Sequence, residues 1–226
     1  MLEGLLAPLA AYWDSIAAYM PSFLEASWVV MEVTVLVILL SWLCGLLAAF
    51  GKTARNPVVR WASSFYIWFI RGTPTLIQIF IVYFGLPQIG VRLSPFTAGV
   101  IALGINSGAY VAEIVRAGLL AMPKGQLESA LALGMSWPQA MARIIMPQVV
   151  RIIIPPVTNE AVTTLKNTSL LSTITVVELT LQAQIVIAAT YRPFDFYIIA
   201  AVLYLAMTTI LTQLSTWVER RYRVQY

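Results

Sequence analysis

Long apolar runs separated by short polar breaks dominate the chain. Five of them, at about 27–50, 62–86, 96–120, 144–165 and 194–218, meet the ~20 mostly apolar residues that a bilayer-crossing helix needs. The second is interrupted by Arg71-Gly72-Thr73-Pro74. Residues 168–190 are mixed in polarity and predict a short helix or helical hairpin at the membrane edge. Residues 1–22 carry no Lys or Arg, but hold Glu3, Asp14, Pro8 and Pro21. They do not read as a secretory signal; an amphipathic segment lying at the interface fits them better. The resulting division is an N-terminal segment at 1–22, one membrane domain at 23–220 and a tail at 221–226.

Composition supports this. Charged residues make up 11% of the chain and hydrophobic ones 60%, whereas a soluble domain carries about 25% charged residues to face water. The predicted class is all-α integral membrane with five transmembrane helices. There is no His and a single Cys, Cys44, so a disulfide framework, a Cys/His zinc site and His-based catalysis are excluded. No metal site or chain-bound cofactor is expected. Bases orient the bundle. Lys52, Arg55 and Arg60 follow the first span, Lys124 and Arg143 follow the third, and Arg220, Arg221 and Arg223 follow the fifth. The opposite side has Arg92 and Arg192. This asymmetry puts the N-terminus outside and the C-terminus in the cytoplasm, the opposite placement that an odd number of spans requires.

Charges inside spans are costly and are usually kept for function. Here they fall at helical spacing. Arg71, Thr75 and Gln78 make one stripe, and Asn106, Tyr110 and Glu113 a second, with Arg116 one turn beyond Glu113. Asn159, Thr163 and Lys166 lie beside Glu160, Thr164 and Asn167. One reading is glue: these groups bond across helices, with Glu113–Arg116 as the local ion pair. The other is a polar pathway for a zwitterion, whose carboxylate a guanidinium binds and whose ammonium a carboxylate accepts. The break at Gly72 and Pro74 fits a structural kink or a cavity lining equally.

Between the third and fourth spans, residues 126–133 can form two helical turns, with Gly134 suited to a left-handed C-terminal cap. Within this stretch Glu128-Ser129-Ala130, three residues, Gly134, nine residues, Ile144, one residue and Met146-Pro147 resembles the EAA loop of ABC importer permeases. Ser129 and Met146 depart from that pattern, where the family has Ala and Leu. Three further stretches resemble the polar amino acid branch: Arg71-Gly72-Thr73-Pro74, Ser107–Ile114 with Arg116, and Leu165–Leu170.

The resemblance implies a type I ABC importer permease (MetI-like) fold in the bacterial cytoplasmic (inner) membrane. It implies that loop 124–147 holds a coupling helix, with Gln126, Glu128, Ser129, Ala130 and Gly134 seated on an ATPase subunit. The implied partners are a second permease (identical or paralogous), two cytoplasmic ATPase subunits that carry ATP and Mg, a periplasmic or extracellular amino-acid-binding protein, and lipid. Nucleic acid is not among them. No G-x-x-x-x-G-K-[ST] phosphate loop occurs, so ATP hydrolysis belongs to the partner.

The expected mechanism is alternating access. The candidate substrate site comprises Arg71, Thr73, Ser107, Tyr110, Glu113, Arg116, Asn159, Glu160 and Thr164, with Lys166 a further candidate. Whether this subunit itself holds a ligand stays open, as does which amino acid is carried. Two rivals are an ion-coupled secondary transporter, disfavoured by the lack of an inverted repeat, and a non-transporting membrane scaffold. An intramembrane enzyme lacks a nucleophile paired with a base.

Overall fold

The computed structural model describes residues 14–222, and the described residues are helical with no strand. Most of the expected N-terminal segment and the last residues of the tail lie outside them. The first span, α1 (Met20–Thr53), has Pro21 in its first turn and Lys52 in its last. It starts earlier than the apolar run suggested, because Met20–Ala26 also bury a face. Its 34 residues exceed the ~20 needed to cross lipid.

The second span is two helices. α2 (Pro57–Gly72) is capped by the Asn56 side chain, which accepts from Val58 N. α3 (Thr75–Phe80) continues as a π turn (Ile81–Gly85) and a 3-10 turn (Leu86–Ile89). The two halves meet at 113°. Pro74 has no N–H to continue the ladder and disfavours helical backbone before it. Two of the carbonyls at the break are satisfied by one side chain. Gln78 Nε2 donates to Ile70 O at 2.8 Å, Thr73 O at 3.1 Å and Thr73 Oγ1 at 2.8 Å. Asn106 Nδ2 donates in turn to Gln78 Oε1 at 3.0 Å, which ties the break to the third span.

That span, α4 (Pro95–Leu120), is the centre of the bundle. Of its apolar window 67% is buried, against 39% for α1 and 11% for the last span. Its small residues allow this. A Cβ at Gly108 would come within 2.7 Å of Cys44 Cβ and 3.3 Å of Ser41 O, and one at Gly104 within 2.5 Å of Leu40 Cδ2. Tyr66 on α2 donates to Ile105 O at 2.6 Å.

On the same end as the α1–α2 turn, α5 (Lys124–Ala132) forms as the sequence suggested. Gly134, at φ +82°, closes it. Gly134 N donates to Leu131 O and Met135 N to Ala130 O, the paired bonds of a Schellman cap. A short helix, α6 (Trp137–Ala140), and a π turn (Met141–Ile145) lead into α7 (Met146–Asn167), which contains Pro155 and Pro156. The mixed stretch resolves into a 3-10 turn (Thr168–Ile174) and α8 (Leu179–Thr190).

The fully buried Glu178 caps α8, accepting from Thr180 N at 2.9 Å and Leu181 N at 3.0 Å. Tyr204 on the last helix, α9 (Pro193–Tyr222), donates to the same carboxylate at 2.6 Å.

Apolar clusters stack along α1: Phe23, Ala26 and Val30 at its start, Val33 and Val37 next, Ala48 and Ala49 near its end. On α4 the second cluster ends at Leu103 and the third begins at Val111. Between them lie the buried Asn106 and Ser107. A polar layer therefore interrupts the core halfway down the central helix.

Candidate functional site

The polar layer opens on its lower side into a cluster around Glu113. Lys52 Nζ reaches Glu113 Oε1 at 2.8 Å. Arg116, one turn further along α4, places Nη2 2.7 Å from Oε2 and Nε 3.1 Å from both oxygens. Arg71 Nη1 lies 3.7 Å from Oε2, with its guanidinium carbon 5.5 Å from the centre of the Tyr110 ring. Three cations from three helices thus converge on one carboxylate whose side chain is 16% exposed. Arg71 is the most loosely held and is 45% exposed.

Glu160 on α7 is the second acid. Ser107 Oγ donates to its Oε1 at 2.8 Å, and Thr164 Oγ1 donates to Ser107 Oγ at 3.3 Å. The other oxygen, Oε2, has no protein donor among the described residues. A cavity of about 550 Å³ separates the acids, lined by Arg71, Tyr110, Glu113, Arg116, Pro156 and Glu160 among others. A neighbouring cleft of about 460 Å³ is lined by Lys52, Trp68, Arg71, Tyr110 and Glu113. Arg71, Tyr110 and Glu113 form the shared wall.

Of the residues expected at the site, Arg71, Tyr110, Glu113, Arg116 and Glu160 meet in the cavity, and Ser107 and Thr164 stand behind Glu160. Two expected members take other places. Thr73 donates to Phe69 O at 2.9 Å and accepts from Gln78, so its hydroxyl serves the helix break. Asn159 is exposed beside Thr163 and Lys166 and lines neither cavity. The Arg71–Thr75–Gln78 stripe does not exist as one helical face, because the 113° bend sends Gln78 back to seal the break. Lys52, assigned from sequence to a cytoplasmic connection, is instead in the last turn of α1 and inside the cluster. Pro155 and Pro156 were also missed, although two adjacent prolines within an apolar run signal helix distortion.

A separate cleft of about 340 Å³ lies along α5, lined by Gly125, Gln126, Ser129, Ala130, Leu133, Met135 and Ile144. Gln148 Nε2 donates to Gln126 Oε1 at 2.8 Å, joining α5 to the foot of α7. Glu128 is exposed on α5.

The family model described as "Binding-protein-dependent transport system inner membrane component" matches residues 41–224. The chain belongs to this family of transporter membrane components. The "Probable glutamine ABC transporter permease protein GlnM" of Bacillus subtilis (strain 168) is 35% identical over 214 residues, covering 95% of this chain and 97% of that protein. A chain from the crystal structure of an amino acid ABC transporter with histidines is 42% identical with a TM-score of 0.87, covering 92% and 97% of the two chains. A chain of the MetNI methionine ABC transporter, in an inward facing conformation, has a TM-score of 0.74 at 16% identity over 91% and 98%. At that identity it speaks to the fold alone, which is the MetI-like fold of type I importers.

Proposed function

We propose that this chain is the permease that carries a polar α-amino acid inward, and that the cavity between Arg71 and Glu160 is where the amino acid pauses. The observation that carries this is the pairing of unlike charges across one space. Arg71, with Arg116 beside it, offers guanidinium donors to a carboxylate, and Glu160 offers a free oxygen to an ammonium. A volume of about 550 Å³ falls within the ~300–1,000 Å³ of ordinary ligand pockets. Glu113 acts as a positioning residue, since both its oxygens already hold cations. The amino acid named for the relative and the histidines of the solved neighbour support this substrate class; they leave the particular side chain open.

The exposed Asn159, Thr163 and Lys166 face would be costly against lipid. It is covered by a second permease, identical or paralogous, so Asn159 reaches substrate only across that junction, and Thr73 acts through the helix break beside Arg71, where it bonds Phe69 O and Gln78. Two ATPase subunits bind ATP and Mg and grip α5 through the exposed Gln126, Glu128 and Ser129, with Ala130 buried beneath that face. ATP-driven closure rocks the two permeases so that the cavity opens outward, where a binding protein delivers the amino acid. The N-terminus lies outside and the tail in the cytoplasm, with Arg55, Arg60 and Lys124 on the cytoplasmic side.

The deciding experiment reconstitutes the full complex in vesicles and follows labelled L-amino acids. ATP-dependent accumulation, reduced by at least about tenfold in Arg71→Ala, is the expected result. Uptake that persists without ATP, or that Arg71→Ala leaves intact, would contradict this function.

A further inference from the structure

One turn of the central helix holds both charged ends of the cavity. On α4, Ile105 O accepts from Tyr66 of α2 at 2.6 Å, which fixes that helix against the turn. Asn106 Nδ2 donates to Gln78 Oε1 at 3.0 Å, and Gln78 Nε2 donates to the Ile70 and Thr73 carbonyls, on either side of Arg71. Arg71 then leans on Tyr110 and Glu113, one and two turns beyond Asn106. Ser107 Oγ accepts from Thr164 and donates to Glu160 Oε1, so its proton is committed to that carboxylate. Consecutive helical residues point about 100° apart, which lets Asn106 serve the α2–α3 break while Ser107 serves α7. Both side chains are 4% exposed, too buried to act as ligand contacts themselves. At the next position, a Cβ on Gly108 would stand 2.7 Å from Cys44 Cβ, so the same turn is seated closely on α1.

We propose that Asn106 and Ser107 are positioning residues that set the separation between the carboxylate-binding and amine-binding groups. They do so by anchoring the Arg71 end and the Glu160 end to adjacent points of one closely packed helix. The selectivity that follows is for α-amino acids, whose amine and carboxylate flank a single carbon, over β-amino acids, which have one carbon more. Two charges free to shift would accept both. This rests on the amino-acid reading above and gives it a basis for discrimination. One methylene is worth about 10–200-fold to a fitted apolar pocket, and two charges held at fixed separation should reach at least the lower end of that range.

The test uses the complex of permease and ATPase in lipid nanodiscs without binding protein, so that the cavity alone meets the ligand. An equimolar mixture of the twenty L-amino acids, read by mass spectrometry of the retained fraction, selects the probe. That amino acid and its β-homologue, which keeps the side chain, are then compared by equilibrium binding. The unsubstituted complex should prefer the α-amino acid by about tenfold or more. In Asn106→Ala and in Ser107→Ala this preference should fall about fivefold, the scale of one lost hydrogen bond, with the loss on the α-amino acid and the β-homologue keeping its affinity. Tyr204→Phe removes a buried bond to Glu178 outside the cavity. It should lower the melting temperature and leave the preference unchanged, which separates positioning from loosened packing. If Asn106→Ala does not assemble, Ser107→Ala decides alone. A preference that survives in either variant, that Tyr204→Phe abolishes equally, or that the unsubstituted complex lacks overturns the positioning role and leaves the amino-acid reading standing. No binding of any amino acid by the unsubstituted complex overturns both.

Discussion

Glu113 shows how one side chain can organise a site it does not complete. Its carboxylate draws Lys52, Arg71 and Arg116 from three helices, and none of these charges would otherwise be tolerated inside the bundle. Removing an acid of this kind is asymmetric, because the uncompensated cations remain. Glu113→Ala should destabilise the solubilised protein by about 3 kcal/mol, toward the low end for breaking a buried pair, since the cluster is partly hydrated. Lys52→Met takes away one of three cations and leaves the bidentate Arg116 in place, so it should cost about 1 kcal/mol or less. Thermal denaturation of the two variants in the same detergent checks the order, and equal losses would contradict the shared-carboxylate account. The Glu113–Arg116 half of this cluster was legible from spacing on a single helix. Lys52 was not, because its partner is sixty-one positions away and a base at the end of an apolar run reads as a membrane-edge charge.

Among the elements, the spans were readable because lipid imposes both length and composition on them, and α5 because a glycine cap punctuates it. What sequence periodicity could not show was the direction of the chain after Pro74. A stripe drawn through Arg71, Thr75 and Gln78 assumes one straight helix, and the 113° bend turns Gln78 from a member of that stripe into the donor that closes the break. Gln78→Leu keeps the bulk but leaves the Ile70 and Thr73 carbonyls without that donor. It should cost about 1–3 kcal/mol, seen as a lower unfolding temperature and faster proteolysis between α2 and α3. The α1–α4 contact tests packing in the same way. Gly108→Val adds branched carbon at a place where even a lone Cβ would stand 2.7 Å from Cys44 Cβ, and overpacking of this sort costs about 1–3 kcal/mol. A variant that folds with unchanged stability would mean that the two helices are free to separate.

At the scale of the whole molecule, the site and the α5 cleft are joined by α7. Gln148 at its foot is bonded to Gln126 on α5, and Glu160 stands on the same helix beyond the π turn and the two prolines. A displacement of α5 therefore has a continuous helical route to the cavity wall. The Schellman cap fixes the direction in which α5 leaves that route, and Gly134 at φ +82° is the position a side chain would strain. Gly134→Asp should cost about 1–2 kcal/mol locally and tilt the surface of α5 proposed above to meet the ATPase. Glu128→Ala changes that surface without disturbing the cap, since the Glu128 side chain is exposed. Both variants should remain in the membrane at near-normal amounts and lose ATP-driven uptake, while binding of the amino acid in the cavity stays within about threefold of the unsubstituted complex. Uptake and equilibrium binding measured on the same vesicles separate the two effects. If Glu128→Ala transported normally, α5 would be a connector and the force would have to enter the bundle elsewhere.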